Sequence, residues 1–227
     1  MVATGTTECK AVTPRKYIVV TGYGPFGTHS VNPSAEAVKT LPRKIGDYDV
    51  VTYQLPVAYK EVTECIEEIY SKDTPPHYAI HVGVALPGTI SLERQAHNSG
   101  YILPDINELH DTNDIASEQL PPNGVAVAGG KEVLQTGLDL STIKNRMHSK
   151  GWMTVNESMD PGSFIFYQSM DRASKTKHSA LQQQYTQSLF VHIPPVGSPH
   201  SQIELNAMLA VLVNEVVSSL PITTVST

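Results

Sequence analysis

The feature that most constrains the fold is a set of short, almost uninterrupted apolar runs rich in β-branched residues, at 17–21, 78–82 and 188–193. Strands that do not alternate between apolar and polar residues are typical of a parallel sheet covered on both faces. Segments with helical spacing of apolar residues lie between these runs, as in 62–69. The alternation predicts an α/β fold, with a mostly parallel central sheet and helices on both faces in a single-domain three-layer sandwich.

Weaker patterns complete the expected order of elements. We expect further strands at 50–55 and 152–155, helices at 34–41, 164–170 and 203–217, a helical segment over 133–147 interrupted near Gly137, and a long irregular or hairpin region at 87–122. The expected domain covers 16–220 and includes a polar insertion at 174–187. Residues 1–15 are expected to be a disordered leader, and 221–227 a tail.

Composition excludes several functions. The chain has 227 residues and a formal charge of −6, and without a basic block we expect no nucleic-acid partner. It has no signal-peptide pattern and no apolar run long enough to span a membrane, so we expect a cytoplasmic protein that makes no membrane contact. Its two cysteines, Cys9 and Cys65, cannot form a disulfide framework. The histidines show no metal-binding spacing, so we expect neither metal nor cofactor. The sequence leaves open whether the chain forms a homo-oligomer.

The glycine pattern Gly22-x-Gly24-x-x-Gly27 follows a predicted strand, as in dinucleotide-binding proteins. Such a site needs a helix to begin within the glycine run, whereas Pro25 removes an amide here and the first helix start is at Asn32-Pro33. We therefore favour a tight turn that presents Tyr23 and Phe26 at the end of a strand.

Several segments together resemble the type I pyroglutamyl peptidases, also called pyrrolidone-carboxylate peptidases. These are cysteine peptidases that remove an N-terminal pyroglutamate from peptides. The matching segments, in the order of the family, are TGYGPFG at 21–27, NPS at 32–34, HVGV at 81–84, ISLERQAHN at 90–98, PD at 104–105, DPG at 160–162 and FVHIPPVG at 190–197.

The resemblance implies a Cys–His–Glu triad, in which histidine activates the thiol and the acid orients the imidazole. It places the histidine at His192 and the acid at Glu93. Taken alone, His192 is typical of a satisfied core histidine and Glu93 of an exposed acid paired with Arg94. The resemblance also assigns the walls of a pyroglutamate site to Tyr23, Phe26, Phe164 and Ile165, although ordinary core packing is an equal alternative for the last two.

One position departs from the family. The segment that precedes the nucleophile corresponds to Pro161–Ile165, yet the next residue is Phe166 instead of cysteine. Either Phe166 replaces the nucleophile, or four residues that include the cysteine are missing. We prefer the gap, because four residues are about one helical turn (~3.6 residues). Pro161 also stands where the family usually has alanine, which removes a backbone N–H.

Three interpretations stay open: a splice form or gene-model variant of an active peptidase, a pseudoenzyme that binds N-terminal pyroglutamate, and a hydrolase that uses serine or water. Ser163 and Ser169 are the nearby serines, and Cys65 is expected to lie far from the site. Peptides with N-terminal pyroglutamate are the expected partners, while activity of the chain as written is uncertain.

Overall fold

A seven-stranded sheet with the order β2-β3-β1-β4-β9-β5-β8 forms the centre of the molecule. The computed structural model describes residues 16–26, 30–72, 74–106, 120–160, 163–176 and 186–219. The strands are β1 (Tyr17–Tyr23), β2 (Lys44–Ile45), β3 (Tyr48–Leu55), β4 (Tyr78–Val84), β5 (Ile90–Glu93), β6 (Gln95–His97), β7 (Val133–Gln135), β8 (Val155–Ser158) and β9 (Gln187–Ile193). Strands β6 and β7 form a separate antiparallel pair.

The strands β3, β1, β4 and β9 run parallel, which confirms the predicted mostly parallel sheet. Strand β5 pairs antiparallel with β9, and β8 continues parallel to β5 at the edge. Strand β2 is antiparallel to β3. The reversal at β5 is important for the site because it determines which β5 side chains face those of β9.

Helices cover both faces of the sheet, as expected. They are α1 (Pro33–Lys39), α2 (Tyr59–Ser71), α3 (Leu140–Ser149), α4 (Phe164–Lys175) and α5 (Gln202–Ser218). One apolar cluster joins Ile18 and Val20 of β1 to α1, α3 and α5, and a second joins Tyr17 and Val19 to α2 and α4. Successive strand residues point to opposite faces, so an uninterrupted apolar strand serves both clusters.

Three predicted segments differ from the structure. The region at 87–122, predicted to be irregular or a hairpin, contributes strand β5 to the central sheet and strand β6 to the separate antiparallel pair. The 133–147 segment divides at the predicted interruption into β7 and α3, and Asp139 caps α3 by accepting a 3.0 Å hydrogen bond from the Thr142 amide. The strand predicted at 152–155 is wrong, because β8 begins only at Val155 and continues through polar residues. An edge strand can carry such residues because it is less buried than a central one.

The predicted leader and tail lie outside the described residues, as does most of the predicted insertion. Across the described ranges, no helix combines the length and apolarity needed to cross a bilayer.

Candidate active site

A cavity of about 980 Å³ opens at the carboxyl ends of the parallel strands. Its wall includes Tyr23 from the end of β1, Gly83 from β4 and His192 from β9, together with the first residues of α2 and α4. Open α/β sheets bind ligands at this edge, where loops and helix starts converge.

Glu93 and His192 meet at this cavity. The His192 Nδ1 atom lies 2.8 Å from Glu93 Oε1, and the Glu93 side chain is fully buried. The sheet register explains the contact. Glu93 lies opposite Phe190 in the antiparallel β5–β9 pair, and His192 follows Phe190 by two residues on the same face, so the acid and the imidazole are diagonal neighbours.

The tautomer of His192 is assigned from its contact with Glu93. An ionised carboxylate can only accept hydrogen bonds, so we assign the donated proton to Nδ1. The Nε2 atom is then available as an acceptor, and the His192 side chain, which is 24% exposed, is part of the cavity wall. This is the arrangement of a general base held by an acid. The interpretation of Glu93 as an exposed acid paired with Arg94 is wrong. The Glu93 side chain is buried, and Arg94 forms its ion pair with Glu157.

Three of the four predicted wall residues line the cavity, namely Tyr23, Phe26 and Phe164. Ile165 does not. It is fully buried in the cluster beneath α2 and α4, since the next position of the helix turns its side chain toward the sheet. Partial burial raises the pKa of the Tyr23 phenol, and the nearby Cys65 adds to that effect, so the phenol stays protonated at neutral pH.

The glycines at the end of β1 allow close packing of the backbone. A Cβ atom on Gly22 would lie 2.7 Å from the carbonyl oxygen of Ser34. Helix α1 starts only at Pro33, where Asn32 caps it and the Ser34 hydroxyl accepts a 2.9 Å hydrogen bond from the Tyr23 amide. The helix therefore does not begin within the glycine run as a dinucleotide site requires.

The start of α4 holds no thiol. Helix α4 begins at Phe164 after Ser163, and Phe166 is fully buried, with its ring 6.2 Å from that of Phe190. Phe166 is not among the residues that line the cavity, whereas Ser163 and Phe164 are. The predicted Pro161 departure lies outside the described residues.

Cys65 packs in the apolar cluster that also contains Phe190. It is nevertheless not a cavity-wall residue. Burial, followed by the neighbouring Glu68, raises the pKa of its thiol to about 11. The thiol is therefore protonated at neutral pH, the opposite of what a nucleophilic cysteine needs.

Neither serine is bonded to the base. The Ser163 hydroxyl lies beside the Tyr23 phenol, and the structure gives no hydrogen bond between Ser163 and His192. Ser169 is buried between the Tyr70 hydroxyl, at 3.0 Å, and the Ser188 hydroxyl, at 2.9 Å. No cluster of three metal-ligating side chains occurs in the described parts of the chain.

Sequence reasoning missed Tyr59 and Tyr101, whose rings pack against Phe164 at centroid distances of 4.9 and 5.2 Å. It also assigned no role to Asp105, whose carboxylate accepts a 3.0 Å hydrogen bond from the Tyr59 amide at the start of α2. These residues are distant in sequence, so no local pattern connects them; only the short Pro104-Asp105 match pointed to this loop.

Comparison with known proteins agrees with this geometry. The sequence model of the pyroglutamyl peptidase family matches residues 16–226. The chain belongs to the pyroglutamyl peptidase family. Human pyroglutamyl-peptidase 1 is 32% identical to it over 211 residues, which cover 91% of this chain and 92% of the human protein. The pyrrolidone-carboxylate peptidase of Pyrococcus furiosus is 29% identical over 184 residues, which cover 78% of this chain and 80% of that protein.

A solved structure of the pyroglutamyl peptidase family shares the fold. The crystal structure of Bacillus amyloliquefaciens pyroglutamyl peptidase I superposes with a TM-score of 0.72 at 26% identity, and the match covers 90% of this chain and 98% of that one. The family resemblance read from short motifs is thereby confirmed, and it extends over nearly the whole described domain.

Proposed function

We propose that this chain binds peptides with an N-terminal pyroglutamate in the cavity beside His192, and that Glu93 and His192 are the acid and base of the family triad. We further propose that the chain as written does not hydrolyse these peptides. The observation that carries the proposal is the 2.8 Å Glu93–His192 contact at a cavity whose described wall contains no cysteine. A cytoplasmic location would keep Cys65 reduced.

The chemistry of the cavity suits a small neutral ring. Tyr23, Phe26 and Phe164 supply flat apolar surface, and His192 supplies a polar group at one end. A pyroglutamyl ring is flat and uncharged, so it can leave water for such a site without an ionic partner. In this proposal Ile165 does not contact the pyroglutamyl ring and supports the site only by packing beneath Phe164.

The burial of Phe166 supports the interpretation that a short segment is missing. A cysteine substituted at that position would lie in the apolar core instead of on the cavity wall. An insertion after Ile165 would instead add a turn of helix between the wall residue Phe164 and the core residue Phe166. In such a variant the sulfur attacks the pyroglutamyl carbonyl, and His192 Nε2 takes the thiol proton and later passes it to the leaving amine.

Turnover of a fluorogenic pyroglutamyl amide tests this proposal. We expect no turnover from the chain as written, turnover after Cys-Ala-Ala-Ala is inserted between Ile165 and Phe166, and its loss when His192→Ala is added to the insertion variant. Phe166→Cys is the matched control and is expected to stay inactive. Turnover by the unmodified chain would contradict the proposal. A Cys9→Ser variant and iodoacetamide treatment would then show whether a thiol is responsible.

The origin of the gap has its own test. Sequencing transcripts across the codons of Ile165 and Phe166 distinguishes a splice form from a fixed loss. Transcripts that carry a cysteine segment would assign the peptidase activity to a longer form. Uniform absence of that segment would favour a dedicated binding protein.

A further inference from the structure

We propose that the cavity continues past the pyroglutamyl ring into a second subsite that selects an apolar or aromatic residue in the second position of the peptide. This inference rests on the function proposed above. The cavity is large: its volume of about 980 Å³ is at the upper end of the range of pockets that hold drug-sized ligands (roughly 300–1,000 Å³). A single five-membered ring fills only a small part of that space.

The mouth of the cavity is unusually apolar. Ten large hydrophobic side chains are exposed in the described residues, and five of them line this cavity. These five form what we call the apolar rim: Val31, Val84, Leu86, Leu103 and Val196. Leu86 and Leu103 are the most exposed of them, at 81% and 72%. Exposed apolar side chains gathered around a cavity mark a binding surface, whereas isolated ones need no explanation.

Tyr59, Tyr101 and Phe164, which we call the aromatic wall, stand behind this rim. The Tyr59 hydroxyl donates to the Leu103 carbonyl at 3.1 Å, and the Tyr101 hydroxyl donates to the His97 carbonyl at 2.6 Å. Because both hydroxyls already have partners in the backbone, the two residues offer ring surface to a ligand. Aromatic faces of this kind favour apolar and aromatic side chains.

Charge supports the same occupant. Among the described residues that line the cavity, none is lysine or arginine, and the one carboxylate, Asp105, is 96% buried and bound to the Tyr59 amide. An acidic second residue would therefore lose its hydration without gaining a cation. The predicted order of affinity is an aromatic or leucyl second residue first, then glycine, then glutamate.

Titration calorimetry with pyroglutamyl dipeptide amides tests the inference without requiring turnover. We expect the phenylalanine peptide to bind about tenfold or more tightly than the glycine peptide, as burial of a large apolar side chain implies. The double variant Leu86→Ser/Leu103→Ser should reduce this advantage to less than about threefold, because the phenylalanine peptide loses more apolar contact than the glycine peptide does. Both side chains are exposed, so the variant is expected to fold, which a melting curve would check.

Ile102→Ser is the matched control, because Ile102 is 70% exposed next to Leu103 but does not line the cavity. It should preserve the preference for phenylalanine. Equal binding of the phenylalanine and glycine peptides would overturn the second subsite and leave the proposed function intact. Absence of binding for every pyroglutamyl peptide would overturn the proposed function itself. Equal binding of an uncyclised glutaminyl-phenylalanine amide would show that the rim does not extend a pyroglutamyl site, and so would also overturn the inference.

Discussion

The β5–β9 strand pair and the start of α4 flank the same cavity, and they differ in the side chains that they bring to it. The strand pair holds Glu93 and His192 in hydrogen-bond contact. The start of α4 supplies wall residues such as Phe164 but turns Phe166 into the core. One region brings a carboxylate and an imidazole into contact, and the other contributes no thiol to the described cavity wall.

The difference reflects how each region is built. The Glu93–His192 contact follows from the register of paired strands, which buried residues on both sides hold in place. The first turn of a helix can instead lose residues while its remaining apolar positions still face the sheet. The loss of residues proposed above at the start of α4 would therefore leave the Glu93–His192 contact in place.

The largest effect is expected from a substitution that disrupts the Glu93–His192 contact. In the variant that carries the inserted cysteine, Glu93→Gln should lower kcat by about 10⁴-fold, because an amide no longer orients or stabilises the imidazolium as a carboxylate does. Steady-state kinetics with the fluorogenic amide would measure it. Glu36→Gln, an exposed carboxylate bound to Lys39, is the control and should leave kcat unchanged. A loss below about tenfold would remove Glu93 from the triad.

A second variant, Phe190→Ala, removes the ring that packs near both Phe166 of α4 and His192 of β9. The Phe190 ring lies 6.2 Å from that of Phe166 and 4.7 Å from that of His192. Phe190→Ala should lower the free energy of unfolding by about 3–5 kcal/mol and weaken pyroglutamyl peptide binding. Leu189→Ala on the opposite face should also destabilise the chain, by about 2–5 kcal/mol, but preserve binding. Denaturant titrations and calorimetry would compare the two, and equal binding losses would contradict a connecting role.

The sheet beneath the site gives a pH-dependent prediction. His81 is fully buried beside Thr21, and burial lowers its pKa to about 3, well below ~6.5 for an unfolded histidine. Its contribution to stability is complete above pH ~6.5 and is lost toward pH 3 at about 1.4 kcal/mol per pH unit, because the unfolded state binds the proton. His81→Gln should flatten the pH dependence of the unfolding free energy between about pH 6 and 4. An unchanged slope would contradict this.

The smallest effect concerns Glu157 on strand β8, which pairs with the strand that carries Glu93. Hydrogen bonds from Lys144, then Arg94 and Ser141, lower the pKa of Glu157 to about 2 against desolvation that would raise it. The resulting stability is present above the unfolded value of ~4.3 and disappears as pH falls through about 2. Glu157→Gln should cost on the order of 1–2 kcal/mol at pH 7 and almost nothing near pH 2.

The exposed pair Glu67–Arg172 supplies the control for that measurement. Glu67→Gln should cost no more than about 1 kcal/mol, because surface ion pairs contribute little. Chemical denaturation of both variants across pH would show whether the network around Glu157 stabilises the chain more than an isolated surface pair does.

Most of the sheet could be predicted from sequence because β1, β4 and β9 are buried on both faces and appear as continuous apolar runs. The position of β8 could not, since polar edge-strand residues resemble a loop. The family resemblance selected Glu93 and His192, yet their contact depends on the antiparallel pairing of β5, which no local pattern specifies. The packing of Tyr59 and Tyr101 against Phe164 could not be predicted for the same reason.

Titration calorimetry of the unmodified chain with a pyroglutamyl dipeptide amide tests the central claim most directly, because binding and hydrolysis give different heat traces. We expect a saturating heat for the pyroglutamyl peptide, no heat for its uncyclised glutaminyl counterpart, and a return to baseline after each injection. A sustained heat of hydrolysis that disappears with His192→Ala, or no heat at all at millimolar peptide, would contradict it.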